Sequence, residues 1–519
     1  MKTLFKILLI FVSICSWNGI AWASYTSDVF LKELTTIIDN AGGEFVFKRE
    51  KDGKKTERIS QAQIDFTISQ FFETDTKLDI NIYYDYFLLK QVSENRISLE
   101  LSPFSSVTIK SENFLDDSID LLIEFKQTPI PIYLENGNDI RKIFINQELM
   151  TQEISRVVLN GSEIAVGFEI DLRDYISSID INTDSQKELT KYEVKSEIKD
   201  LSISSEIIDP QNGFGTQITR VFHENINSEI NLSLPNLDTI SSIIDNNINP
   251  LDRGLSLGFF YERSAGLSES IISNQDLNIF ARMKDNGVQR GLGLSRNGIN
   301  LLSRVLDLHL SILSNEFSAQ PLKTEIDEVS FEMQIPFLNR QNGSSFKFYF
   351  NIDDLSMSEN IWNFVDIEKG VFTDPISFGF DLTGNLNWLF NLMDLKDVNG
   401  FSANNPVEII NLDVNEFKIS LGELEMKSSG SFIFSDQEFN ALSGFGLRQP
   451  VGEIRVELQG AYSFIDKIMS EQLIDQQTGI FILGLITLYT KTGNADDNLI
   501  SVIRITDSGE ILINNKLLQ

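Results

Sequence analysis

Val329–Phe337 reads VSFEMQIPF, Phe346–Ile352 reads FKFYFNI, and Asn342-Gly343 lies between them. In both runs an apolar residue takes every second position, which puts all of them on one side of a pleated strand. Asn-Gly suits the turn of a tight hairpin because both residues tolerate positive φ. The stretch therefore predicts two antiparallel strands with one apolar and one polar face.

The same alternation recurs along the chain. Ile376, Phe378, Phe380 and Leu382 carry it, as do Phe417, Ile419 and Leu421, and Ile454, Val456 and Leu458. In the first half Phe45 and Phe47 alternate before an Asp52-Gly53 turn. Ile64, Phe66 and Ile68 follow, then Ile97, Leu99 and Leu101, and Leu121, Ile123 and Phe125. Each run ends in polar or turn residues, as half-buried strands require. Helical patterns are few. One begins at Thr26 or Ser27 as cap, aligns Phe30, Leu34, Ile37 and Ile38, and stops at Gly42-Gly43. Others fall at Ser358 to Asp366, at Trp388 to Met393, and as a pair from Ala461 to Tyr489. Ile503, Ile505, Ile511 and Ile513 share one face of a final hairpin about Ser508-Gly509.

The fold expected is β-rich (α+β): large antiparallel sheets as an elongated sandwich or a curled sheet, with a few short helices. No repeat of propeller or solenoid length is present. Asp245–Gly254 is polar and contains Pro250, so the expected division is 24–250 and 251–519, each region β-rich.

Residues 1–23 read as a cleavable export signal. Lys2 and Lys6 precede or flank the apolar Ile7 to Ile14, and Ala21-Trp22-Ala23 supplies a small-x-small cleavage pattern. Cys15 is the only cysteine, and the bulky Ile14 before it argues against lipidation. Cleavage leaves a chain with no disulfide and no thiolate, held together by burial. Localisation is therefore expected to be periplasmic or secreted. Gly479 to Tyr489 (GIFILGLITLY) is about half the length needed to span a bilayer and is expected to be a buried helix. The formal charge of −32 becomes −34 without Lys2 and Lys6, a field that repels nucleic acid and anionic lipid head groups.

The chain offers little reactive chemistry. It has two histidines. His223 in Val221-Phe-His-Glu224 has no second histidine to complete a zinc-protease pattern, and His309 has Asp307 two residues before it on the same strand face. Gly291-Leu-Gly293-Leu-Ser-Arg296 lacks the third glycine of a dinucleotide loop. Asp180-x-Asn182-x-Asp184 opens like a calcium loop, but Ser185 and Lys191 replace the required glycine and glutamate. Paired carboxylates for hydrolysis carry no signal among 75 acidic residues. No cofactor, metal or catalytic residue is expected. The candidate binding residues are the alternating apolar ones: Phe331, Met333, Ile335, Phe337, Phe346, Phe348, Phe350, Phe378 and Phe380. They line either an ordinary sandwich core or a groove for an apolar chain.

Ile352-Asp-Asp-Leu-Ser-Met-Ser-Glu-Asn-Ile-Trp362 and Asp374-Pro-Ile-Ser-Phe-Gly-Phe-Asp-Leu-Thr-Gly384 resemble an exported bacterial family, domain of unknown function 2125 (DUF2125). Gly430-Ser-Phe-Ile-Phe434, Pro450–Leu458, the helical pair and the closing hairpin from Asp496 to Leu518 are similar to its further blocks; the resemblance is full length, looser towards the amino terminus where it covers the capped helix and Arg253-Gly-Leu255. The strand pattern and last turn are also similar to AsmA-like envelope proteins linked to lipid transport. The resemblances imply no catalytic residues and a lipid-related envelope role. The leading expectation is thus a non-enzymatic exported protein binding lipid or another apolar envelope component. A structural or protein-interaction module of the periplasm is the alternative, and a carboxylate- or histidine-dependent hydrolase the third.

Overall fold

A computed structural model describes residues 26–40, 42–69, 77–114, 117–137, 140–184, 189–209, 215–235, 249–274, 277–316, 318–338, 340, 342–364, 374–389, 407–438, 448–493 and 497–518. The export signal lies outside them. The chain forms two units. The first takes residues 1–239, 261–281 and 314–316, and the second takes 240–260, 282–313 and 317–519. The described residues are overwhelmingly strand, paired antiparallel, with four α-helices.

The first unit opens with α1 (Ser27–Asn40). Thr26 caps it, its hydroxyl accepting from the Val29 amide at 3.4 Å, and Gly42 ends it at φ 79°. Then come β1 (Gly43–Lys51), β2 (Thr56–Ser69), β3 (Lys77–Ser93), β4 (Arg96–Leu101), β5 (Phe104–Phe114) and β6 (Asp117–Gln127). They are followed by β7 (Pro131–Asn136), β8 (Ile140–Leu159), β9 (Ser162–Asp184), β10 (Leu189–Asp209) and β11 (Gly215–Pro235). β1, β2 and β3 pair in order. β3 then pairs with β5 through its first half and β4 through its second, while β8 receives β7 and β6. Two short ladders, β4–β7 and β5–β6, thus lie end to end between two long strands. β8, β9, β10 and β11 continue the sheet. Phe30, Leu31 and Ile38 of α1 pack into a core with Phe45, Ile59, Ala62, Phe87, Leu89, Ile97 and Leu134. The Arg141 guanidinium, 3.2 Å from Glu33, ties α1 to β8.

β12 (Ser256–Arg263), β13 (Ala265–Ser273) and β14 (Asn278–Asp285) come next; β13 pairs with β11. Before β12, the Asn249 side chain accepts from the Leu251 amide and caps a 3-10 turn, Pro250–Arg253. The second unit contains β15 (Gly287–Ser295), β16 (Gly298–Ser314), β17 (Ser318–Pro336), β18 (Ser344–Met357), α2 (Glu359–Phe364), β19 (Ile376–Trp388), β20 (Val407–Leu421) and β21 (Leu424–Glu438). It ends with β22 (Arg448–Gln459), α3 (Ala461–Ser470), α4 (Gln476–Tyr489), β23 (Lys491–Thr492), β24 (Asn498–Ile505), β25 (Ile511–Ile513) and β26 (Lys516–Leu517). β17 through β22 pair in sequence, and β24 joins β22. The closing β24–β25 hairpin has Ile503 opposite Ile513 and Ile505 opposite Ile511; Asn514 and Asn515, both at positive φ, then turn the chain into β26. Where Trp388 to Met393 reads as helical, Trp388 instead ends β19 with its indole N–H donating to the Pro336 carbonyl at 2.7 Å. Residues 390–393 lie outside the described ones.

Strict alternation does not survive the length of these strands. In five of them a non-glycine residue sits mid-strand at positive φ: Gln61, Asp174, Asn225, Asp307 and Asp354. At each one the apolar row changes parity. Ile59 gives way to Ala62 and Ile64, and all three meet the same core. Phe168, Ile170 and Leu172 give way to Tyr175, Ile179 and Ile181; Val221 gives way to Ile226 and Ile230. On β18, Ile352 faces Phe378 and Leu355 faces Ile376, two residues of one β19 row. A one-residue insertion would send every later side chain to the other face. A bulge built on a left-handed residue absorbs it, and Asp and Asn tolerate that backbone best. Asp354→Val, which places a β-branched residue there, is expected to cost about 1–2 kcal/mol, and Asp354→Gly less, read from urea unfolding. Leu89→Ala empties a fully buried site and is expected to cost about 2–5 kcal/mol in the same measurement.

Candidate functional site

The candidate site is the apolar face of the second unit's sheet. Directly opposed residues in antiparallel strands project to the same face, so the register shows which side chains share it. Phe331 opposes Phe350 and Met333 opposes Phe348. Phe350 opposes Phe380, and Ile352 opposes Phe378. The row continues from Phe380 to Phe417 and from Phe378 to Ile419, then from Ile419 to Met426 and on to Leu458 and Leu499. Eight of the nine expected residues lie on this face, Ile335 and Phe346 by strand parity; Phe337 follows the end of β17. The extension through β20, β21, β22 and β24 was legible as separate strands but not as one surface.

All of these aromatic side chains are half-buried except Phe346, which is buried. The rings form a connected group. Phe350 lies 6.0 Å from Phe378 and 5.9 Å from Phe380, and Phe378 meets Phe417 edge-on at 5.8 Å. Such offset and edge-on contacts favour the rings beyond their burial. Phe346 is buried because its ring lies over Gly384, where a Cβ would fall 2.9 Å from the ring.

The other face is polar. The Lys347 ammonium pairs with Glu332 at 2.5 Å, Lys418 with Asp353 at 3.2 Å, and Arg504 with Glu453 at 2.7 Å. The hydrogen bond to Glu332 is the main reason the Lys347 ammonium titrates above its ordinary value, against a smaller opposing effect of burial. These pairs are half-exposed and contribute little stability each. They do keep charge on one side of the sheet.

The reactive groups are not brought together. His309 is exposed with Nδ1 3.6 Å from Glu325, while Asp307 accepts from the Asn286 side chain at 2.8 Å. Asp307 is left-handed, and it and His309 are both exposed with different partners. His223 is half-buried on β11, opposite Leu201 and Gly266. Asp180, Asn182 and Asp184 lie on extended β9, with Asp180 3.5 Å from Lys142, and residues 185–188 of the candidate calcium loop lie outside the described ones. Gly291 and Gly293 sit inside the β15–β16 ladder. Among the described residues no cluster of His, Cys, Asp and Glu could hold a metal ion.

The expected buried helix at Gly479 to Tyr489 forms but is not buried. Along α4, Ile480 is 66% exposed, Phe481 65% and Leu488 56%. Its physical reason is a narrow contact. α4 meets α3 where Gly479 packs on the Met469 side chain, and a helix that is apolar all round leaves its remaining faces outward. Within the described residues no helix is long and apolar enough to cross a membrane. Comparison with family models, with curated proteins and with solved structures finds no match.

Asp475 starts α4. Its carboxylate accepts from the Thr478 amide at 2.8 Å and hydroxyl at 3.0 Å, and the amide bond above all holds its pKa below the ordinary value. A lowered pKa stabilises the helix start above the group's ordinary pKa, and that stabilisation is lost as pH falls through the lowered one. Amide exchange at residues 478–481, corrected for intrinsic rate, is expected to accelerate on acidification through that range. In Asp475→Ala it is expected to be fast at every pH.

Proposed function

We propose that this chain is a non-enzymatic, exported envelope protein that holds the acyl chain of a lipid on the apolar face of β17–β22. The observation that carries the reading is the in-register aromatic surface of Phe331, Phe348, Phe350, Phe378, Phe380 and Phe417, half-buried and with the charged pairs on the opposite face. A surface of this kind recognises length and apolarity rather than a head group, since apolar sites need few polar anchors. Each methylene removed from water contributes about 0.8 kcal/mol, so about ten of them supply about 8 kcal/mol, a micromolar affinity before ordering costs. Export through a leader at residues 1–23 and membership of the DUF2125 family that the chain resembles belong to the same proposal; Lys2, Lys6, Ile7 to Ile14 and Ala21-Trp22-Ala23 support the first, and the blocks from Ile352 onwards support the second.

Solvent extraction of the gently purified protein followed by mass spectrometry is expected to release a stoichiometric acyl lipid. The double substitution Phe350→Ser and Phe378→Ser is expected to reduce the bound lipid at least tenfold with the strand signal in circular dichroism retained. Repeated absence of lipid, together with no uptake of a fluorescent fatty acid, would leave the face as ordinary core and sink the proposal.

A further inference from the structure

We infer that α4 is a membrane-contact helix, seated in the interface of a neutral bilayer beside the apolar sheet face; its link to lipid on that face rests on the function proposed above. Gln476–Tyr489 contains no charged residue in a chain of net charge −32. Its outward residues Ile480, Phe481, Leu485 and Leu488 recur at helical spacing, and all are exposed, as is Leu473 just before the helix. Contiguous exposed apolar surface marks an interaction site.

Size and charge choose the occupant. A helix of 14 residues is about 21 Å long and about 10 Å wide. One exposed face of it offers roughly 200–300 Å², well short of the roughly 800 Å² per partner that a stable protein interface buries. A second copy of the chain would also bring a second charge of −32 against the first. The same length is too short for a hydrocarbon core of about 30 Å, so the helix cannot span. An interfacial helix needs only one apolar face, and here the protein itself covers the other through Gly479 and Met469. The net charge disfavours anionic lipid, leaving a zwitterionic surface.

The helix is also joined to the sheet face. The carbonyl of Tyr489, its last residue, accepts from the Ser501 hydroxyl at 2.9 Å and the Asn514 side chain at 2.8 Å. Ser501 lies between Leu499 and Ile503 in the apolar row of β24 and opposes Val456. The C-terminal end of α4 is thus anchored at the β24 end of the apolar row, where Leu499 and Ser501 are buried.

The test is co-flotation of the full chain with phosphatidylcholine vesicles. Binding is expected, weaker with phosphatidylglycerol vesicles at low salt, and reduced at least tenfold in the triple variant I480S, F481S and L488S. Because these side chains are exposed, the variant is expected to melt like the parent. A separate variant, F481W, is expected to be quenched by brominated phosphatidylcholine. Bound lipid is measured by extraction in parallel. Vesicle binding without extractable lipid would refute the acyl-chain reading and leave the membrane contact standing. Equal flotation of the triple variant, or no flotation and no quenching with the parent sheet intact, overturns the inference.

Discussion

Everything in this molecule depends on keeping one face of a long antiparallel sheet apolar. A strand alternates sides at every residue, so strands of up to 23 residues accumulate the risk of a single slip. The protein meets it with local backbone devices. Gln61, Asp174, Asn225, Asp307 and Asp354 turn left-handed mid-strand where the apolar rows change parity. Register shifts beside Val46, Ile352 and Val414 mark the same kind of correction. Each bulge costs a pairing and a strained backbone, and each preserves the burial of every apolar side chain beyond it.

The two units use that face differently. In the first, α1 lies over the sheet and closes a core around Ile59, Leu89 and Ile97, all fully buried. Farther along the same unit the rows of β8–β11, with Ile170, Leu172, Val194 and Ile203, stay half-buried. In the second, the rings of Phe350, Phe378 and Phe380 touch one another yet stay half-buried. What sets the second unit apart is that its half-buried residues are aromatic rings in mutual contact, and the proposed function rests on that surface.

Period-two alternation made the strands and their apolar faces legible, Phe331 and Phe350 on one face and Ile503 and Ile513 on another, but not the pairing register. The capping of α1 by Thr26 and its stop at Gly42 were equally visible, because both are local. What escaped was set by tertiary context. No local pattern shows that Asp307 is left-handed, or that Asp307 and His309 engage different partners, Asn286 and Glu325. Asn342-Gly343 suggested a tight two-residue hairpin. The connection instead runs from Phe337 to Gly343, with the Gly343 amide donating to the Arg340 carbonyl. The exposure of α4 was least legible of all. An apolar run too short to span a bilayer ordinarily means a buried helix, and only the packing of Gly479 on Met469 reveals how little of it is covered.

The central claim is that the phenylalanine face, and not its polar reverse, receives an acyl chain. Photocrosslinking with a diazirine-bearing fatty acid, mapped by peptide mass spectrometry, tests it most directly. The account predicts adducts on Phe350, Phe378, Phe380 and Phe417, competed away by unlabelled fatty acid, and none on Glu332, Lys347 or Lys418. Adducts spread evenly over both faces, or none above background, would contradict it.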